Sequence, residues 1–278
     1  MLVAGAQDMK IRLGYDISFT VPTPVPMLLA LNVYPTRIPT LLEHENLVIE
    51  PNVPHTQFTD QFGNTITRLV APAGIVRFTN SFMVSDTGEI DERDPDAEQH
   101  PIDRLPPDVM QFLLASRYCE VDLLQNTAWN LFGKLQGKGM ALCEAICTWV
   151  NKHITFGYPH ARNTRTAAEG FRERIGVCRD FTHLAVALTR CMNIPARYVT
   201  GYLGDIGVPV VDAPMDFSAW YEVYLGGRWW TFDARHDQRR IGRVLMAVGR
   251  DATDVALTTA FGPAPLNSFL VVTDEVKE

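Results

Sequence analysis

Five cysteines are spread through this chain, and one stands where a thiol can do chemistry. In GVCRDFTHLAVALTRC, Cys178 precedes apolar positions Phe181, Leu184, Ala185, Leu188 and Cys191, whose helical spacing predicts a packed helix with the thiol in its first turn. A helix N-terminus carries backbone N–H groups without intrahelical acceptors and a partial positive field. Both favour thiolate over thiol, so Cys178 is expected to ionise more readily than an ordinary cysteine, whose pKa is about 8.5. Its own N–H is also placed to meet the negative oxygen that forms when a carbonyl is attacked. The chemistry implied is nucleophilic attack on a carbonyl with a thioester intermediate. Spacing alone leaves a second reading open, an inert, half-buried residue at a helix start.

The neighbouring polar residues have structural readings beside functional ones. Arg179 and Asp180 suit a first-turn ion pair or cap, since an acidic side chain near a helix N-terminus is favoured. Gly176 either allows close approach to the thiol or is an ordinary loop glycine. Cys143 and Cys147 are four apart and in principle could share a metal, but no histidine or second cysteine pair lies near them, so they read as buried thiols on a helix face. No metal and no cofactor is assigned. GDIGVP lacks the lysine and spacing of a phosphate-binding loop, and no dense acidic loop supports calcium.

The elements that must position Cys178 follow from the patterning. Ile11, Leu13, Tyr15, Ile17, Phe19 and Val21 alternate with polar residues, the period of a strand with one buried face. After Pro22, Pro24 and Pro26 the alternation resumes at Leu29, Leu31 and Val33, and short apolar segments follow at 47–49, 65–70 and 75–82. This spacing predicts a small antiparallel sandwich or barrel. Residues 86–107 are rich in Asp, Glu and Pro and read as a solvent-facing connector, dividing the chain into a β-rich domain at 1–95 and a second domain at 96–278. Helices are expected from Asp108, around Leu123 to Leu131, and through GMALCEAICTWVNKH, where Leu142, Ile146, Trp149, Val150 and His153 share a face. Thr166 and Glu169 have capping-box spacing. Beyond Pro195, Ala196 to Tyr202 reads as a strand, and the segment from Ser218 to Asp233 as a hairpin turning at Gly226-Gly227. The fold class is therefore α+β.

Composition limits the rest. Across 278 residues, 25 Lys plus Arg stand against 32 Asp plus Glu, a net charge of -7 without long basic blocks, which disfavours nucleic acid as a partner. The odd cysteine count, without a CxxC pair, argues against a disulfide scaffold and for a reducing cytoplasm. MLVAGAQDMK does not read as a leader peptide, and no apolar run approaches the roughly 20 residues that span a bilayer, so no membrane association is expected.

GVCRDFTHLAVALTRCMNIPARYVTGYLGD followed by SAWYEVYLGGRWWTFDARHD resembles the transglutaminase-like superfamily, especially its bacterial branch with a β-rich N-terminal region. The core of the likeness runs from about 140 to 237, and the strands of 10–85 are similar to that branch's first domain. The resemblance implies a papain/transglutaminase-like α+β domain after the antiparallel β-domain. It makes Cys178 the nucleophile and Asp233 the carboxylate that orients a histidine base. The position of that base, immediately before Ala219-Trp220, holds Ser218. Serine has no titratable nitrogen, so the resemblance implies cysteine-dependent acyl transfer on a peptide or glutamine-type amide, chiefly as peptidase or amidase, with activity lost or impaired. Whether the chain is an enzyme therefore stays open, the alternative being a noncatalytic peptide-binding module that retains the cleft. A peptide or protein substrate and a primary-amine acceptor are the partners implied; the sequence does not fix an oligomeric state. Arg179, Trp220 and His236 are placed at the periphery of the site. His183, five residues past Cys178, should point away from the thiol, and neither it nor His236 is assigned the missing base role. Ser218 is expected to bond to Asp233 or a water.

Overall fold

A computed structural model of the chain describes residues 8–211 and 215–277. Along the chain run β1 (Met9–Val21), β2 (Val25–Leu29), β3 (Val48–Glu50), β4 (His55–Thr59), β5 (Thr65–Ala71) and β6 (Gly74–Asp86). Then come α1 (Val121–Phe132), α2 (Met140–His153), β7 (Thr155–Phe156), α3 (Ala167–Glu173), β8 (Ile175–Gly176), α4 (Cys178–Cys191) and β9 (Ala196–Leu203). The hairpin β10 (Ser218–Leu225) and β11 (Arg228–Phe232) precedes β12 (Arg243–Gly249), β13 (Thr258–Ala260) and β14 (Leu266–Val276).

Two antiparallel sheets, β14-β1-β6-β3 and β13-β2-β5-β4, bury their facing sides together. The period-two residues of β1, from Ile11 to Val21, are all buried, as expected for a strand whose alternate side chains enter a shared core. A third sheet, β11-β10-β9-β12, carries α4 against it, and α1, α2 and α3 cover the other sides of that helix. Enclosed in this way, α4 is buried from Asp180 through Cys191 rather than along one stripe. The capping box at α3 forms as its spacing predicts: Glu169 N–H donates to Thr166 Oγ1 at 3.3 Å, and Thr166 N–H donates to Glu169 Oε2 at 3.0 Å.

The structure departs from the sequence reading in four places. Pro107–Leu113 forms a 3-10 turn instead of an α-helix. β4, HTQFT, is exposed at every position and so had no buried period to reveal it. Residues 258–276, which the spacing placed with the second domain, return to the first: β13 pairs with β2 and β14 with β1. Ile11, Leu13 and Ile17 share a core with Tyr202, Val244 and Met246, so the division near residue 95 cuts through one continuous apolar interior. Finally, the acidic connector is not simply solvent-facing. Asp91 accepts from Arg240 N–H at 2.9 Å and from Arg243 Nε at 3.0 Å, while Arg93 bonds the Thr231 carbonyl at 2.6 Å and lies over Phe232. Arginines from β12 and its approach supply the partners that a local composition count cannot see. Among the described residues no helix is long and apolar enough to cross a membrane.

Candidate active site

β8 pairs in parallel with β7 and delivers the chain to Val177, immediately ahead of α4. Asp180 holds this entry: its Oδ2 accepts the Val177 N–H at 2.9 Å and Arg165 Nη1 at 3.0 Å. Thr182 Oγ1 donates to the Cys178 carbonyl at 2.9 Å. Gly176 is required by this packing, because a Cβ there would stand 2.6 Å from Asp180 Cβ and Oδ2. The Cys178 N–H has no hydrogen-bond acceptor among the described residues.

Cys178 is half-buried, whereas Cys119, Cys143, Cys147 and Cys191 are buried in the core. Its sulfur lies against the start of β10, within reach of the Ala219 N–H. Burial pushes the thiol up to about 11, while the Arg235 guanidinium and that N–H pull the other way. This corrects the expectation of easy ionisation. Placing the anion among protein atoms carries a desolvation cost that outweighs the pull of the nearby cation and the Ala219 N–H.

Ser218 opens β10 and lines the same cavity as Cys178. Its Oγ is buried and has no hydrogen-bond partner, so the expected bond to Asp233 does not form. Asp233, just past the end of β11, is buried and already engaged. Its Oδ1 accepts the N–H groups of Arg235 and His236, each at 3.1 Å, and its Oδ2 accepts His236 Nδ1 at 2.8 Å and Arg243 Nη2 at 3.0 Å. Burial alone would raise its pKa, but Arg243 and His236 together hold it well below the usual carboxylate range. His236, placed by sequence at the periphery, is thus bonded to the carboxylate expected to orient a base. The available signal was the Asp-x-x-His spacing directly after a strand, because an aspartate that bonds N–H groups two and three residues on folds the third residue back over its own carboxylate.

The cavity has a volume of about 550 Å³, and Cys178, Ser218, Arg235 and His236 all face it. Leu203, Asp205, Pro209, Val211, Met215 and Asp216 form another side; residues 212–214 lie outside the described set. Tyr158 and Phe156 complete an apolar wall. Burial raises the pKa of both Tyr158 and Asp216. Two residues placed at the periphery face elsewhere. Arg179 lies over Tyr118 and donates to the Arg162 carbonyl at 3.0 Å. Trp220, the second residue after Ser218, packs with Val199 and Val248 on the far side of β10 and borders a different hollow. His183 is fully buried, stacks on Tyr118 and accepts the Ala252 N–H at 3.2 Å. Sequence reasoning also missed Arg165 and Arg243, which fix Asp180 and Asp233 from neighbouring elements of the chain.

Residues 133–234 match the sequence profile of the transglutaminase-like superfamily. A crystal structure of a candidate cysteine protease from Cytophaga hutchinsonii is 30% identical, aligns over 98% of this chain and 92% of that one, and superposes with a TM-score of 0.85. The uncharacterized protein ML0607 of Mycobacterium leprae is 42% identical over 84 residues, which is 29% of this chain and only 30% of that protein's length. The periplasmic domain of TgpA from Pseudomonas aeruginosa is 14% identical over 84% of this chain and 89% of that one, with a TM-score of 0.40.

Proposed function

Since the chain belongs to the transglutaminase-like superfamily, we propose that it carries out cysteine-dependent acyl transfer on peptide or glutamine-type amides, chiefly as a peptidase or amidase. The observation that supports this most directly is the Cys178 thiol at the start of α4, opening into the cavity beside an uncommitted backbone N–H. The sulfur attacks the amide carbonyl, and the carbonyl electron pair moves to oxygen, where the Cys178 N–H faces it. Collapse of that intermediate breaks the C–N bond, releases an amine and leaves a thioester. Water then gives a carboxylic acid, whereas a primary amine gives a new amide. A cavity of about 550 Å³ with an apolar wall suits one or two side chains of a peptide. Asp205, Asp216, Arg235 and Arg240 around it supply charge of both signs for orientation. A reducing cytoplasm is the compartment that fits five free thiols.

The test is turnover of a fluorogenic peptide-amide panel, with and without a primary amine, by the wild-type chain and by Cys178→Ala. Thiol-dependent cleavage supports the reading, and amine incorporation in place of hydrolysis would assign transamidation. Ser218, which carries no titratable nitrogen, favours a second reading, a noncatalytic peptide-binding cleft. Peptide binding that is indifferent to Cys178→Ala, without turnover of any panel member, would establish that one.

A further inference from the structure

We propose that His236 is the base for Cys178, taking the role that position 218 does not fill, with Asp233 holding its ring. This rests on the acyl-transfer reading above. The geometry has three parts. The imidazole and the thiol line the same cavity, while Asp233 stands behind that wall, among the residues of a separate hollow. The ring is oriented by a 2.8 Å bond from Nδ1 to Asp233 Oδ2, which commits the Nδ1 proton and leaves Nε2 as the acceptor in the neutral tautomer. Nε2 has no hydrogen-bond partner among the described residues. The carboxylate, the ring and the free nitrogen are the order in which an Asp-His pair serves a nucleophile, reached here from a turn rather than from β10.

The turn is rigidly made. Asp233 accepts the N–H groups of Arg235 and His236 at 3.1 Å, and its carbonyl accepts the Asp237 N–H at 2.8 Å. The His236 side chain is about one quarter exposed, open enough to exchange protons and enclosed enough to stay oriented. A thiol whose pKa burial pushes up needs a base at the moment of attack. Nε2 of His236 accepts the proton of Sγ as the S–C bond forms. The resulting imidazolium then gives that proton to the departing nitrogen as the C–N bond breaks. In hydrolysis the same nitrogen takes a proton from water as the O–C bond forms, and returns it to sulfur as the C–S bond breaks. Neither stage consumes anything beyond amide and water. The other titratable groups facing this space are Arg235, Arg240, Asp205, Asp216 and Tyr158.

Chloroacetamide alkylation of Cys178 tests the assignment without knowledge of the substrate, because the four other thiols are buried. Labelling is followed by intact mass and peptide mapping at neutral pH. His236→Ala should slow labelling of Cys178 at least tenfold, with added imidazole restoring part of the rate, and should lower peptide turnover by about 10²- to 10⁴-fold. His236→Gln, which keeps an N–H toward Asp233 but has no titratable nitrogen, should show the same loss with an unchanged melting temperature. His236 variants that label and turn over as fast as wild type, while Cys178→Ala is inert, would overturn the base assignment and leave acyl transfer standing. Labelling that depends on His236, with no Cys178-dependent turnover of any amide, would instead overturn the acyl-transfer reading and keep the His236–Cys178 pair.

Discussion

A carboxylate has about four lone-pair sites, and at Asp233 four donors already meet them: two backbone N–H groups, the His236 ring and Arg243. This occupancy bears on Ser218 more directly than its own chemistry does. An imidazole introduced at position 218 would find no vacant carboxylate oxygen to orient it, and would have to enter a site where the present side chain is only 6% exposed. Ser218→His is therefore expected to give no gain in turnover and to cost about 1–3 kcal/mol in denaturant unfolding from overpacking. A rise of tenfold or more in kcat/KM would mean that position 218 remains the base position and that His236 yields Asp233 to a newcomer.

At the scale of elements, the thiol is held by contacts made before α4 begins. β8 brings Gly176 so close to Asp180 that a methyl group has no room, and Asp180 in turn ties the Val177 N–H and the Arg165 guanidinium. Gly176→Ala should destabilise the fold by about 1–3 kcal/mol. It should also slow Cys178 labelling several-fold, because displacing Asp180 releases the turn that aims the thiol. Thermal unfolding and the labelling rate together check this, and wild-type values for both would show that the helix entry is set by α4 packing alone. The hairpin works differently. Arg197 and Glu222 face each other across β9 and β10 with a 2.6 Å contact, and Trp229 lies under Arg197, so the polar residues of this sheet stiffen the strands away from the cavity.

The β-rich region shares its apolar interior with the sheet that carries α4, and a half-buried acid lies in that region. Glu45 accepts the Val33 N–H at 3.0 Å in the β-rich region, and burial pushes its carboxyl up to about 7, against the pull of the Val33 and Asn32 donors. The folded state thus binds this proton more tightly than the unfolded chain. The resulting stability is complete below the unfolded carboxyl value of about 4.3 and is lost as pH rises through about 7. Glu45→Gln removes this loss, so its unfolding free energy relative to wild type should rise between pH 4 and pH 8 by an amount on the order of 3 kcal/mol. Denaturant titrations at both pH values check it; a difference that does not change with pH would show that Glu45 ionises in the fold without cost. The sequence by itself determined the strand β1 with its buried alternate residues, the capping box of α3, the helix that opens on Cys178 and the hairpin that ends at Asp233, because each is written in contacts between residues a few positions apart. Only the tertiary structure decided that β14 closes the first sheet, that Asp91 lies behind the site, that burial pushes the Cys178 thiol up and that His236 rather than Ser218 bonds Asp233. Periodicity records which face of an element is buried, but it carries no information about which distant element buries it. The ionisation of a thiol and the partners of a carboxylate depend on that enclosure.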